Sequence, residues 1–417
     1  MNIELKYGKT ITKATIPENF DVNIINANLP NNEISLEEEQ KKLEYAINNP
    51  IESDRLKDIA KKGKTAAIMV SDITRPSPSK KLLPYIIAEL KEAGIKNENI
   101  TIIFGMGIHR SHTKEEQEML LGSEIYGSIK AIDSNKDEYV YIGDTKRATP
   151  VYLCKTLVKA DIKICTGNIE YHYFAGYSGG AKAVMPGAAN YKSISNNHKL
   201  QLDDRAKSGK IQGNPVREDI DEVGKLLNID FILNVVLNKD KKILKAFSGD
   251  YILAHRQGCK FLDSIYNVKI KERADIVIVS PGGYPKDVNL YQTQKSLDNA
   301  KHAIKDGGII ILVAQCKEGF GEKVFEQWIK DAQSPEELIN KLRKEFVLGG
   351  HKAAAIGQVV KNNSVFIVTD LKDEDAKIVF FKPYKTLQSA LDAAIKQSNN
   401  PKILIIPQGS STLPSAK

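Results

Sequence analysis

The sequence predicts an α/β protein of two domains, each with a largely parallel sheet flanked by helices. Three observations carry this: eight short apolar runs rich in β-branched residues, helical stretches alternating with them, and a length of 417 residues, more than one hydrophobic core usually supports. A composition 41% hydrophobic and 27% charged is that of a chain folded throughout, with no polar tract long enough for disorder.

The runs are AAIMVS (66–71), ITIIF (100–104), DIKIC (161–165), FILNVVL (231–237), DIVIVS (275–280), IIILVA (309–314), VFIVTD (365–370) and ILIIP (403–407). Each is too short for a helix and suits a buried strand. Helix starts are marked by Ser35 with Glu38, Thr113 with Glu116, and Ser334 with Glu337, all fitting the capping box, and Pro335 strengthens the last. Gly63, Gly94 and Gly307 follow helical stretches as left-handed caps would. The alternating N-terminus, MNIELKYGKTITKATIP, reads as a hairpin and not a signal peptide, and the C-terminal GSSTLPSAK reads as a frayed tail. A charged stretch over 266–275 breaks the pattern, which divides the chain into 1–268 and 269–417.

The net charge of +8 is spread along helices of mixed sign, which argues for lysine-rich solvated faces and against nucleic acid as a partner. An anionic small molecule would benefit from it. Cys154, Cys165, Cys259 and Cys316 form no C-x-x-C pair or disulfide framework, and no apolar run approaches the roughly 20 residues that cross a bilayer. A cytoplasmic protein with no membrane partner is the expectation.

Ligands of open α/β sheets bind beyond the carboxyl ends of strands, so the loops after the apolar runs hold the candidates. AAIMVS leads to Asp72-Ile-Thr-Arg75-Pro, ITIIF to Gly105-Met-Gly107-Ile-His109, and DIKIC to a glycine-rich stretch with His172 and Lys182. In the second half, DIVIVS leads to Pro281-Gly-Gly-Tyr-Pro, followed by Gln292 and Lys295. Each has a bland alternative. Asp72 and Arg75 fit a surface ion pair, and GMGIHR a tight turn, a poor dinucleotide fingerprint because Arg110 replaces its third glycine. His109 and His112 stand at a spacing that suits a metal, while His255 and His302 fall within helical patterns and read as solvated or capping residues.

The stretch GNIEYHYFAGYSGGAKAVMPGAANYKSISNNHK (167–199) is harder to read as a plain loop, because glycines cost conformational entropy unless close approach or unusual dihedrals need them. It lacks the Walker spacing of a nucleotide-triphosphate site, and a lysine in a glycine-lined apolar pocket loses its proton and becomes a nucleophile or tether.

Taken together, D-I-T-R-P, G-x-G-x-H-R, H-Y-F-A-G-Y-S-G-G-A-K and a histidine sixteen residues after the lysine resemble the nickel-dependent lactate racemase family, along the whole chain. The resemblance implies a nickel-pincer nucleotide, a pyridinium bisthiocarboxylate mononucleotide attached covalently to Lys182, with His198 as the protein ligand to nickel. A pincer fills three positions of a square-planar ion, so one imidazole completes it. It further implies racemisation of a 2-hydroxy acid, lactate first, by hydride transfer through pyruvate, with His109 and His172 as the two acid/bases. Asp72 and Arg75 match cofactor positions, and Gln292 with Lys295, one helical turn apart, match the substrate pair. The resemblance makes 1–268 the cofactor-binding catalytic domain and 269–417 the contributor of substrate residues, with the active site in the interdomain cleft. Maturation would need cofactor-synthesis proteins, so an apo form is admitted too. The single tryptophan, Trp328, does not match the one some relatives place over the substrate, which leaves the 2-hydroxy acid open. Two other classes stay on the page: a zinc hydrolase using His109, His112 and His172, and a non-catalytic carrier of the cofactor.

Overall fold

The computed structural model describes residues 1–28 and 33–416. The chain forms two compact units, Pro30–Leu262 and the combination of Met1–Leu29 with Asp263–Lys417. All eight apolar runs form strands of two six-stranded sheets.

In the unit Pro30–Leu262 the sheet runs, in spatial order, Ile243–Gly249, Phe231–Leu237, Ile162–Asn168, Ala66–Ser71, Ile100–Gly105 and Lys130–Asp133. Every pairing is parallel except the first, which is antiparallel. Both faces are covered, and the period of two divides the side chains between them. Ile68, Val70, Ile102, Phe104, Ile164 and Leu233 enter one core, packed with Leu43 and Ile86 of two helices. Ala67, Met69, Ile103, Cys165 and Ile232 enter the other, against Ile194, Val216, Ile220 and Val223.

The other unit carries an entirely parallel sheet ordered Lys382–Tyr384, Ser364–Val368, Ile304–Val313, Ala274–Val279, Ile403–Ile406, Val22–Ile24. The division therefore differs from a cut after residue 268, because the N-terminal segment builds this unit. Asn2–Tyr7 and Thr10–Thr15 form the expected hairpin, turning at Gly8 with φ of +55°. Its inward residues Ile3, Leu5 and Ala14 join Ile276, Ile311, Phe366 and Leu391 in one core.

Several local expectations are corrected. The C-terminal segment is not frayed: Leu413–Ala416 pairs in parallel with Asn267–Ile270, and Leu413 is buried; Lys417 lies outside the described residues. Ser35 and Thr113 form complete capping boxes. Ser334 accepts the Glu337 N–H, but the Glu337 carboxylate takes the N–H of Gln333, so the box is half made. Gly94 is left-handed after the helix Ser79–Glu92, whereas Gly307 lies inside a strand and Gly63 keeps an ordinary φ. Among the described residues no helix is long and apolar enough to cross a membrane.

Candidate active site

From Ala66–Ser71 the chain winds outward to the strands at 100 and 130, then returns to place Ile162–Asn168 on the opposite side of the first strand. The strand order reverses there, and loops leaving the carboxyl ends of such strands diverge to open a crevice. Asp72 leaves the first of these strands, the turn to His109 leaves its neighbour, and the glycine-rich stretch leaves Ile162–Asn168.

The turn after Ser71 closes on itself. The Arg75 N–H donates to the Asp72 carbonyl at 3.1 Å and the Thr74 N–H to the Asp72 carboxylate at 2.7 Å. Asp72 is buried, and its other oxygen meets His109 Nδ1 at 2.9 Å. The carboxylate is thus engaged by His109, and the exposed Arg75 is not its ion-pair partner. Burial pushes the Asp72 carboxyl up, but the bond and the charge of His109, the Thr74 bond and the charge of Arg75 together outweigh it and hold the group at about 2. An ionised Asp72 only accepts, so His109 donates from Nδ1, and in the neutral ring Nε2 is the atom that carries the lone pair.

His112 has a different task. Its Nδ1 lies 2.7 Å from Asp133, its Nε2 accepts the Ile73 N–H at 3.1 Å, and its ring is wholly buried, edge-on to Phe104. Both ring nitrogens are used in fixing the Asp72 turn to the neighbouring loop. The three-histidine zinc set therefore loses a member.

The glycine-rich stretch is a folded plug. Tyr171–His172 pairs with Gly176–Tyr177 as a tiny hairpin, Gly180–Ala183 makes a 3-10 turn carrying Lys182, and the helix Tyr191–Lys199, capped by Asn190, brings His198 to its last turn. Phe174 stands between two of the candidate histidines, edge-on to His172 at 4.5 Å and to His198 at 5.0 Å between centroids. The Ala175 N–H reaches His172 Nδ1 at 3.3 Å, and His198 Nδ1 lies 3.1 Å from the Asn197 amide oxygen. Backbone approach explains two of the glycines. A Cβ on Gly187 would stand 2.1 Å from the Ala183 carbonyl oxygen, and one on Gly105 would stand 3.2 Å from the Gly187 Cα. The Gly107 N–H donates to the Gly187 carbonyl at 3.0 Å, so the His109 turn is seated on the Lys182 loop.

The Lys182 amine is pushed well below the ordinary lysine value, first by burial and then by the charges of Arg75 and Arg217, against which Glu170 and Asp72 act. These charges also show that Asp72, Arg75 and Lys182 share one neighbourhood. A lysine held neutral is a nucleophile and an acylation site, not a counter-ion.

Asn234, Arg217 and Glu170 support the site without having been singled out in the sequence, and His255 does so in a role other than the one its helical pattern suggested. Asn234 Oδ1 accepts the Gly180 N–H at 2.8 Å. His255 is not a solvated helix residue but is fully buried, donating from Nε2 to the Ser178 carbonyl at 2.8 Å while Nδ1 accepts from Arg256 at 2.6 Å. Burial, then Arg217 and Arg256, push its imidazole well below the usual range, consistent with that neutral form. The wholly buried Arg217 reaches the carbonyls of Ala175 and Tyr177. Glu170, whose charge acts on Lys182, closes the stretch with its backbone N–H, which donates to the Ser178 hydroxyl at 2.9 Å. Only the left-handed Gly179 and Gly180, set against Asn234 and His255, hinted at such partners.

In the other unit, Gln292 and Lys295 lie one turn apart on the helix Leu290–Ala300, Gln292 exposed and Lys295 partly exposed. The rest of that helix buries polar residues, Thr293, Gln294, Ser296, Asp298 and Asn299. Trp328 is a core residue, 5% exposed, with the Gly350 backbone against its ring.

The residues fit the cofactor that the resemblance implied. The donor set is the Lys182 amine, whose hold on a proton burial weakens, and an imidazole on His198 whose Nδ1 is engaged by the Asn197 amide. At the turn that carries Lys182, where its Oδ1 takes the Gly180 N–H, Asn234 Nδ2 is a buried donor with no hydrogen-bond partner, 3.9 Å from where a Gly167 Cβ would lie. An unmet buried donor is costly and is the natural partner of an anionic ligand.

Comparison with known proteins identifies the family. Residues 7–209 match the lactate racemase N-terminal domain and residues 269–413 the lactate racemase C-terminal domain. The lactate racemase of Thermoanaerobacterium thermosaccharolyticum is 35% identical over 99% of both chains, and that of Lactiplantibacillus plantarum 33% identical over 98% of both. The solved lactate racemase apoprotein from the former organism superposes with a TM-score of 0.90 at 34% identity, covering 99% of this chain and all of that one. The chain belongs to the lactate racemase family.

Proposed function

We propose that the protein is an isomerase that interconverts D- and L-lactate, using a nickel-pincer nucleotide held by Lys182 and His198. The observation that carries the reading is the seating of the His109 turn on the Lys182 loop, at Gly105, Gly107 and Gly187. It brings the loop of a carboxylate-oriented imidazole against the loop that carries Lys182, which supports reading the two as parts of one site.

The cofactor, when bound, supplies an electrophilic acceptor for the C2 hydride of the substrate, so that pyruvate links the two enantiomers. The protein's residues do the rest. Each enantiomer presents its hydroxyl from its own side, so two bases are required. His109, with its lone pair on Nε2, takes or returns the hydroxyl proton on one side, and His172 does so on the other. Arg75 offers a planar fork of donors to an anionic group of the nucleotide. Gln292 and Lys295 offer a neutral donor and a cation to the substrate carboxylate. The cofactor-making proteins are further partners in maturation. Another 2-hydroxy acid on the same cofactor is the alternative that Trp328 keeps open, because its ring is spent in the core.

The test is chiral chromatography of D-lactate incubated with protein matured alongside those partners. Racemisation is expected, with no turnover by Lys182→Ala. Equal racemisation by that variant contradicts the proposal, and turnover of a different 2-hydroxy acid alone reassigns the substrate.

A further inference from the structure

The helix Pro215–Leu227 carries a carboxylate that the reaction above does not use. Asp219 is fully buried, and no cation lies within ion-pair distance of it among the described residues. It accepts instead from three neutral donors: the Thr145 hydroxyl, the Thr149 hydroxyl at 2.9 Å and the Asn197 amide Nδ2 at 2.8 Å. Burying a carboxylate away from any cation is expensive, and hydrogen bonds to every available lone pair are what make it tolerable. The Thr145 hydroxyl itself accepts the Thr149 N–H at 3.1 Å, so its proton is committed to Asp219.

The direction of this network follows from what each group is able to do. Asp219 accepts, so Asn197 must present its NH2 to it, and the same NH2 faces the Val216 carbonyl at 3.4 Å. The amide cannot flip without setting its oxygen against two acceptors. Its oxygen therefore faces the neighbouring ring, 3.1 Å from His198 Nδ1, and an amide oxygen only accepts. His198 must donate from Nδ1, and the lone pair is forced onto Nε2.

We infer that Asp219 and Asn197 are positioning residues that set His198 in the Nδ1–H tautomer, the form that ligates a metal through Nε2. This rests on the reading of His198 as the nickel ligand. It extends that reading to Asn197, the neighbour of His198 on the same helix, and to Asp219 on the helix Pro215–Leu227. Outer groups that hold the second nitrogen of a ligating imidazole fix its orientation and raise its basicity. Here the carboxylate acts through an amide: by accepting from the Asn197 NH2 it fixes which way the amide oxygen faces, without touching the ring itself.

The test has two readouts. Long-range proton–nitrogen NMR of the apoprotein at pH 8 reports which nitrogen of His198 carries hydrogen; nickel content after dialysis against a chelator reports retention in the matured protein. The wild-type His198 is expected as Nδ1–H. Asp219→Asn, which still offers an oxygen to Asn197, should keep that tautomer, whereas Asn197→Leu should mix the tautomers and lose nickel about 10- to 100-fold faster. A wild-type ring protonated on Nε2, or an unchanged tautomer in Asn197→Leu, overturns the inference, and the wild-type measurement serves even where a variant fails to fold. A changed tautomer with unchanged nickel retention upholds the relay and overturns instead the reading of His198 as ligand.

Discussion

Asp72 accepts the Nδ1–H of His109 at 2.9 Å while closing its own turn on the Thr74 N–H at 2.7 Å. One carboxylate thus shapes the loop after the first strand and orients an imidazole on the loop after its neighbour. Replacing it separates these tasks. Asp72→Asn keeps the size of the side chain but offers an NH2 that competes for the His109 nitrogen, and turnover is expected to fall about 10²- to 10⁴-fold with nickel retained.

The same carboxyl gives a pH signature in stability. Its folded value of about 2 lies below the ordinary 3.8, so it stabilises the fold fully above about pH 4, and that contribution is lost as pH falls toward 2. The shift corresponds to roughly 2 kcal/mol. Urea unfolding of the wild type should weaken by that amount between pH 4 and pH 2, on top of a background that Asp72→Asn shares. Identical pH dependence in the two proteins contradicts the assignment.

Lys182 is expected to react as a neutral amine. In the apoprotein, brief treatment with acetic anhydride at pH 7 should modify Lys182 ahead of exposed lysines, which are protonated at that pH, as read by peptide mass spectrometry. Modification of Lys182 no faster than that of surface lysines would show that its amine is not held neutral.

Backbone contact between the two loops is tested at glycines. Gly187→Ala sets a methyl 2.1 Å from the Ala183 carbonyl oxygen and should cost about 1–3 kcal/mol and most of the activity. Gly127→Ala, in the short helix Ser123–Ser128 with nothing within 4 Å, should instead raise stability by about 0.5–1 kcal/mol. Equal thermal shifts for the pair would count against the steric reading.

Much of this was legible in the sequence because strand runs report burial directly. AAIMVS could not be anything but a strand covered on both faces, and each of its seven companions obeyed the same rule. The N-terminal hairpin was legible as an element but not in its placement, since local alternation does not say which sheet Ile3 and Leu5 will cover. The tail misled because Leu413–Ala416 reads as polar and short; its order comes from pairing with Asn267–Ile270, a partner nearly 150 residues away. At the site, residues bearing reactive groups stood out by type, whereas His255, Asn234, Arg217 and Asp219 act through contacts across 40 to 80 residues that no local pattern carries. His112 shows the opposite error, a spacing that suited a metal and serves a loop.

His109→Ala and His172→Ala should each retain nickel and cofactor while losing turnover about 10²- to 10⁴-fold, since proton transfer and not binding is removed. Loss of nickel in either variant would assign that histidine to the metal instead.

The central claim, that Lys182 carries the cofactor, is tested most directly by the mass of the intact protein purified after maturation with nickel and the cofactor-synthesis proteins. A nucleotide-sized covalent adduct, mapped by peptide fragmentation to Lys182, is expected, with about one nickel per chain. A racemising protein with an unmodified Lys182 would contradict it.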